Sequence, residues 1–146
     1  MEIFRKTYAE IDLNNIEFNI KKIVEKYSEY KYRFAVVKAD AYGRGILKVS
    51  HAVVKGGCNY LAVATLEEAL QIREEIKDVP ILCLGVIHKE YLDKCRENNI
   101  TITRNSLEYL KSILDYNVSD LKVHIKINTG MNRLRNIKCR GSQKSI

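Results

Sequence analysis

The chain has 146 residues, enough for one ordinary domain with a real core, and its apolar and charged fractions of 46% and 29% are those of a soluble globular protein. No apolar run approaches the roughly 18 residues of a membrane span, and the start lacks a signal-peptide pattern, so a cytoplasmic protein with no membrane partner is expected. The net charge of +7 does not point to a nucleic-acid partner, because four of those charges sit on Arg135, Lys138, Arg140 and Lys144, and such a run reads as a solvated tail.

The first element expected is a strand over 7–13, "TYAEIDL". A helix follows in "NNIEFNIKKIVEKYSEY" (14–30), with Ile16, Ile20, Ile23, Val24 and Tyr27 as its apolar face. Next come five short β-branched or near-continuously apolar runs at 33–39, 60–64, 80–85, 100–104 and 122–128. Runs of that kind are strands covered on both faces. Pro80 opens the third, where its missing N–H does little harm.

Helical patterns separate the strands. "ILKVSHAVVKGG" closes on two glycines, a C-cap signal. "TLEEALQIREEI" opens with Thr65 and carries Glu68 three residues on, a capping box. "HKEYLDKCRENN" ends in Asn98 and Asn99, and "NSLEYLKSILDYN" sets Leu107, Leu110, Ile113 and Leu114 on one stripe. Four cysteines, Cys58, Cys83, Cys95 and Cys139, form no C-x-x-C pair, so reduced thiols and no metal site are expected.

Strand starts recur about every 20 to 26 residues, the period of βα units with parallel strands. An open doubly wound sheet and a closed eight-stranded barrel both fit. Regular spacing without a reversal of strand order favours the barrel. So does "VHIKIN", with Val123, Ile125 and Ile127 on one face and His124, Lys126 and Asn128 on the other. A polar face with a lysine suits a barrel mouth, where strand C-termini gather active-site groups.

The same alternation puts Phe34, Val36 and Lys38 on one face of the first βα strand, with Lys38 at its C-terminal end. Burial there disfavours an ammonium, and a neutral amine is a nucleophile toward carbonyls. The pattern also fits a lysine snorkelling from a strand end. Tyr42 stands just beyond, able to hydrogen-bond something bound over Lys38, and Gly43 and Gly45 permit a close turn. "KINTGMNRL" (126–134) adds Lys126 and Arg133, whose planar donor fork suits an oxyanion; a surface salt bridge is the alternative for Arg133.

These residues carry a resemblance. "VVKADAYGRG" is similar to the pyridoxal-phosphate lysine motif of the alanine racemase family, V-K-A-[ND]-A-Y-G-H-G. "HIKINTGMNRL" resembles that family's second motif, and "TYAEIDLNNIEFNI" resembles its opening. The resemblance implies an α/β fold, the incomplete N-terminal portion of a (β/α)8 TIM-type barrel. Within it, residues 1–13 hold a strand for a C-terminal β domain, 14–134 form the partial pyridoxal-phosphate barrel and 135–146 are an irregular basic tail.

It further implies a pyridoxal-phosphate-dependent isomerase that converts L-alanine to D-alanine for cell-wall precursors. Lys38 is then the lysine that holds the cofactor aldehyde and the base on one face of the substrate Cα. Tyr42 matches a residue on the cofactor phosphate, and Arg133 the arginine on the ring's phenolic oxygen. Lys126 matches a lysine often carboxylated on its amine. The second base is a tyrosine from a partner subunit of a homodimer.

Arg44 stands where the family usually has His, and Arg135 where it has Gly. Five strands do not close an eight-stranded barrel, so the expectation is a truncated, inactive chain that folds poorly alone. The alternative is a non-catalytic pyridoxal-phosphate-binding barrel of the cofactor-homeostasis type.

Overall fold

The computed structural model describes residues 7–116 and 119–127. Five strands, β1 (Phe34–Val36), β2 (Tyr60–Val63), β3 (Ile81–Cys83), β4 (Ile100–Arg104) and β5 (Val123–Ile125), form one sheet in the order β1-β2-β3-β4-β5. Every neighbouring pair is parallel. Sheet order therefore equals chain order, as in a barrel, and β1 and β5 are edges among the described residues.

Helix α1 (Leu13–Lys26) precedes β1; a short helical segment α2 (Lys38–Gly43) and helix α3 (Ile46–Lys55) join β1 to β2, and α4 (Leu66–Glu75), α5 (Leu92–Glu97) and α6 (Leu107–Tyr116) fill the later connections, with a 3-10 turn at Lys89–Tyr91 before α5. Alternation along the strands sends Ala35, Leu61, Val63, Ile81, Cys83, Ile100 and Ile102 into the main core with Val49, Val53, Ala69, Ile72 and Leu92 of the helices. Leu61, Ile81 and Ile102 are fully buried, and each such side chain contributes about 1.5–3 kcal/mol. The opposite, concave face carries Phe34, Val36, Tyr60, Ala62, Leu82 and Leu84. Phe34 and Val36 are exposed there, 40% and 43%.

Local signals in the sequence reappear as geometry. Thr65 and Glu68 make the reciprocal capping box of α4. Gly56 caps α3 and also lets α1 approach, since a Cβ there would lie 2.7 Å from Ile20 Cγ2. Arg73 is buried and donates to the carbonyls of Ile76 and Lys77 (2.8 and 2.6 Å) and of Asn98 (2.8 Å), joining the ends of α4 and α5.

Four expectations need correction. Residues 7–12 form no strand: they are exposed, no ladder among the described residues pairs with them, and Leu13 already belongs to α1, capped by Asp12 accepting from the Asn14 N–H at 2.8 Å. The expected helix over 14–30 ends at Lys26: the Tyr27 N–H closes the last bond to Ile23 O, Tyr27 then leaves helical geometry at ψ 44°, and the Tyr30 and Lys31 carbonyls accept from Arg33 and Asn59. On the expected apolar faces, Ile23 and Tyr27 of α1 and Leu114 of α6 are exposed, since no further element covers them among the described residues. Ile125 and Ile127 are exposed at 61% and 71% for the same reason on the β5 edge. Asn128, Cys139 and the basic tail 135–146 lie outside the described residues.

Candidate functional site

The C-terminal ends of the parallel strands gather at one end of the sheet. The Val37 N–H donates to the Ala62 carbonyl at 2.9 Å and extends the β1–β2 ladder up to Lys38. Lys38 is half-buried and opens α2. Because β1 stops at Val36, strand alternation carries only to Val37, and the following turn sets the direction of Lys38.

That turn is left-handed. Ala39, Asp40, Ala41 and Tyr42 all have φ between 52° and 57°, with ψ between 41° and 54°. An L-residue in this region costs about 1–2 kcal/mol, so four in succession need local support. The support is visible. The Ala41 N–H donates to Val37 O at 2.9 Å, and the Arg44 and Gly45 N–H groups both donate to Asp40 O, at 2.9 and 3.0 Å. The Ile46 N–H donates to Asp40 Oδ1 at 2.7 Å, setting a carboxylate at the start of α3 where the helix dipole favours it. Gly43 and Gly45, at φ 80° and 88°, supply the turn expected of them.

The loop carries Lys38, half-buried, Tyr42, 57% exposed, and Arg44, whose guanidinium donates to the Tyr42 backbone O at 3.3 Å. One short loop that carries a primary amine, a phenol and a guanidinium has groups suited to a carbonyl compound that also bears an anionic group. Arg44 spends one donor on its own loop, which leaves further N–H groups for such an anion.

Sequence reasoning missed Glu68 as more than a cap. Its Oε1 accepts from the Ala39 N–H at 2.6 Å, directly after Lys38. Its Oε2 accepts from the Ala64 N–H at 2.8 Å and the Thr65 N–H at 3.3 Å, at the end of β2. The available signal was an acid at the first turn of a helix that starts immediately after a strand's C-terminal end.

Lys126 follows β5 at the same end of the sheet. It is half-buried, and its N–H donates to the carbonyl of the buried Arg104 at 2.9 Å. Lys38 and Lys126 therefore sit at the exits of the two outer strands, while Arg133 lies outside the described residues. The thiols near this end are inert by environment. Burial pushes Cys83 and Cys95 up to about 11, so neither is a nucleophile at neutral pH. Among the described residues no group of side chains is arranged to hold a metal ion, and no helix is long and apolar enough to cross a membrane.

Residues 11–134 match the family model described as "Alanine racemase, N-terminal domain". The chain is 39% identical over 132 residues to alanine racemase 1 of Bacillus subtilis, covering 90% of this chain and 34% of that protein. It is 40% identical over 142 residues to alanine racemase of Methanococcus maripaludis, covering 95% and 38%. Among solved structures, the alanine racemase of Bacillus anthracis with bound L-Ala-P superposes with a TM-score of 0.84 at 31% identity, covering 94% of this chain and 36% of that one. That of E. faecalis gives 0.80 at 35% identity, covering 86% and 35%. The chain spans about a third of the length of the curated relatives it matches.

Proposed function

The chain belongs to the alanine racemase N-terminal domain family, and from that premise we propose that it carries the cofactor-lysine portion of a pyridoxal-phosphate-dependent racemase acting on alanine. The observation that carries this reading is the half-buried Lys38 at the exit of β1, held by a left-handed turn. The relatives and structures that the chain resembles are alanine racemases, which supports the reaction class.

In this reading Lys38 would hold the cofactor through its aldehyde and, as a free amine, would take or return a proton at one face of the substrate Cα. Tyr42 would hold the cofactor phosphate through its hydroxyl, and Arg133 would hold the ring's phenolic oxygen. Lys126, carboxylated on its amine, would become an anion that orients Arg133. When bound, the cofactor supplies an electron sink that makes the Cα proton removable. A tyrosine of a partner subunit in a homodimer supplies the opposite base, and the cytoplasm is the expected compartment.

The test is cofactor capture and proton exchange. Purified protein is incubated with pyridoxal phosphate, reduced with borohydride and mapped by peptide mass spectrometry. Exchange of the alanine α-proton is followed in deuterated water with the whole gene product. The reading expects the label on Lys38 and exchange with both enantiomers. Label spread over surface lysines would sink the site. Label on Lys38 without exchange would leave a binding protein.

A further inference from the structure

We propose that Glu68 is a positioning residue for Lys38, acting as a carboxylate latch between the exits of β1 and β2; the Lys38 side of this rests on the cofactor-lysine reading above. The carboxylate uses both oxygens. Oε1 takes the Ala39 N–H at 2.6 Å, and Oε2 takes Ala64 at 2.8 Å and Thr65 at 3.3 Å.

Helix capping accounts for only half of this. The capping box needs the Thr65 hydroxyl on the Glu68 N–H, at 3.3 Å, and the Glu68 side chain on the Thr65 N–H. The bond to Ala39 crosses 29 residues to a different βα unit and is the shortest of the set. It holds the first residue of the left-handed run. The Lys38–Ala39 peptide is a rigid plane, so fixing its N–H restricts rotation about the last backbone bond of Lys38. The backbone from which the amine departs is thereby set by a side chain that need not touch the cofactor.

The chemistry calls for a carboxylate in particular. The three N–H groups around Glu68 are all donors, and a carboxylate is acceptor-only on both oxygens. Glutamine is as good as glutamate in a capping box, but its amide has one oxygen and one NH2. In Glu68→Gln either Ala39 or the Ala64–Thr65 pair faces an NH2 and loses its acceptor. Orientation toward Ala64 and Thr65 keeps two bonds and gives up one, so Ala39 is released.

The experiment measures residue-resolved amide exchange and pyridoxal-phosphate labelling of Lys38 on the parent chain, Glu68→Gln and Thr65→Ala. In the parent, the Ala39 amide is protected. In Glu68→Gln it exchanges at least about tenfold faster, as loss of one charge-assisted bond implies, and the Lys38 share of the label falls. Amides of Ile81 and Ile102 in the core strands stay unchanged. Thr65→Ala removes the cap oxygen, frays the start of α4 and leaves both Ala39 protection and Lys38 labelling as in the parent.

An unprotected Ala39 in the parent overturns the proposal. So does a Glu68→Gln chain with parental Ala39 exchange, one whose Ile81 and Ile102 open as well, or a Thr65→Ala chain that behaves like Glu68→Gln. A freed Ala39 with unchanged selective labelling shows that Glu68 holds the turn without positioning Lys38, and overturns it too. Failure of the parent to label Lys38 selectively removes the cofactor reading instead, and Ala39 exchange still decides whether the latch exists.

Discussion

Phe34 and His124 stand on the two outer strands of a five-stranded sheet, yet their ring centroids lie 6.0 Å apart. At about 4.8 Å per strand, a flat sheet would hold β1 and β5 about 19 Å apart. The sheet is curled about its concave face. Tyr60 fills the space between, stacked on Phe34 at 4.3 Å with its hydroxyl bonded to Thr101 Oγ1 at 2.5 Å. The curl wraps the strands that lead to Lys38 and Lys126 around one concave face.

Replacing Ala39 by Gly should stabilise the chain. Ala39 is exposed at φ 52°, where a Cβ is penalised and glycine is not. Glycine's extra freedom in the unfolded chain offsets part of the gain. The expected net is about 0.5–1 kcal/mol in a urea melt. A loss would mean that residue 39 is not left-handed.

Gly56→Ala should destabilise by about 1–3 kcal/mol through overpacking. The new methyl would meet Ile20 Cγ2 at 2.7 Å and Glu17 O at 3.1 Å. In a double-mutant cycle with Ile20→Ala, the pair should cost less than the two singles together. Strict additivity would place the strain elsewhere.

Ser50→Ala should raise stability by about 1 kcal/mol, or ~4 °C in melting temperature. Ser50 is fully buried inside α3, and its hydroxyl has no hydrogen-bond partner among the described residues. A thermal melt decides it, and a lowered midpoint would reveal a partner for that oxygen.

Alkaline pH should weaken the fold through Cys83 and Cys95. Burial raises both from 9.0 to about 11, so the folded state keeps protons that the unfolded state releases. Their stabilisation is whole below about pH 9 and is lost as pH rises toward 11. Urea melts across that window should fall less steeply in Cys83→Ala/Cys95→Ala than in the parent. Equal slopes would remove the thiols as the cause.

The βα order was legible because apolar runs and caps are local: Thr65 and Glu68 announce α4, and the run at 100–104 is β4 in full. Residues 7–12 mislead because alternation favours a strand but ladder bonds come from a partner, and no described residue offers one. The left-handed turn was hidden because none of residues 39–42 is glycine; it is held by Val37, Asp40 and a carboxylate 29 residues away. The second role of Glu68 was hidden for a related reason. As a cap it already looks fully employed, and its bond to Ala39 exists only once two βα units stand side by side.

Agreement between sheet order and chain order has a consequence for how the protein is made. Each described strand after β1 pairs with the one translated just before it, so none of these pairings waits for a distant segment to leave the ribosome. Closing a loop of about 20 residues costs little more than closing a shorter one. The curled half-barrel, with Lys38 and its latch on Glu68, can therefore assemble during synthesis at about 5–20 residues per second. The β5 edge, with Ile125 and Ile127 exposed, is then the last strand laid down among the described residues.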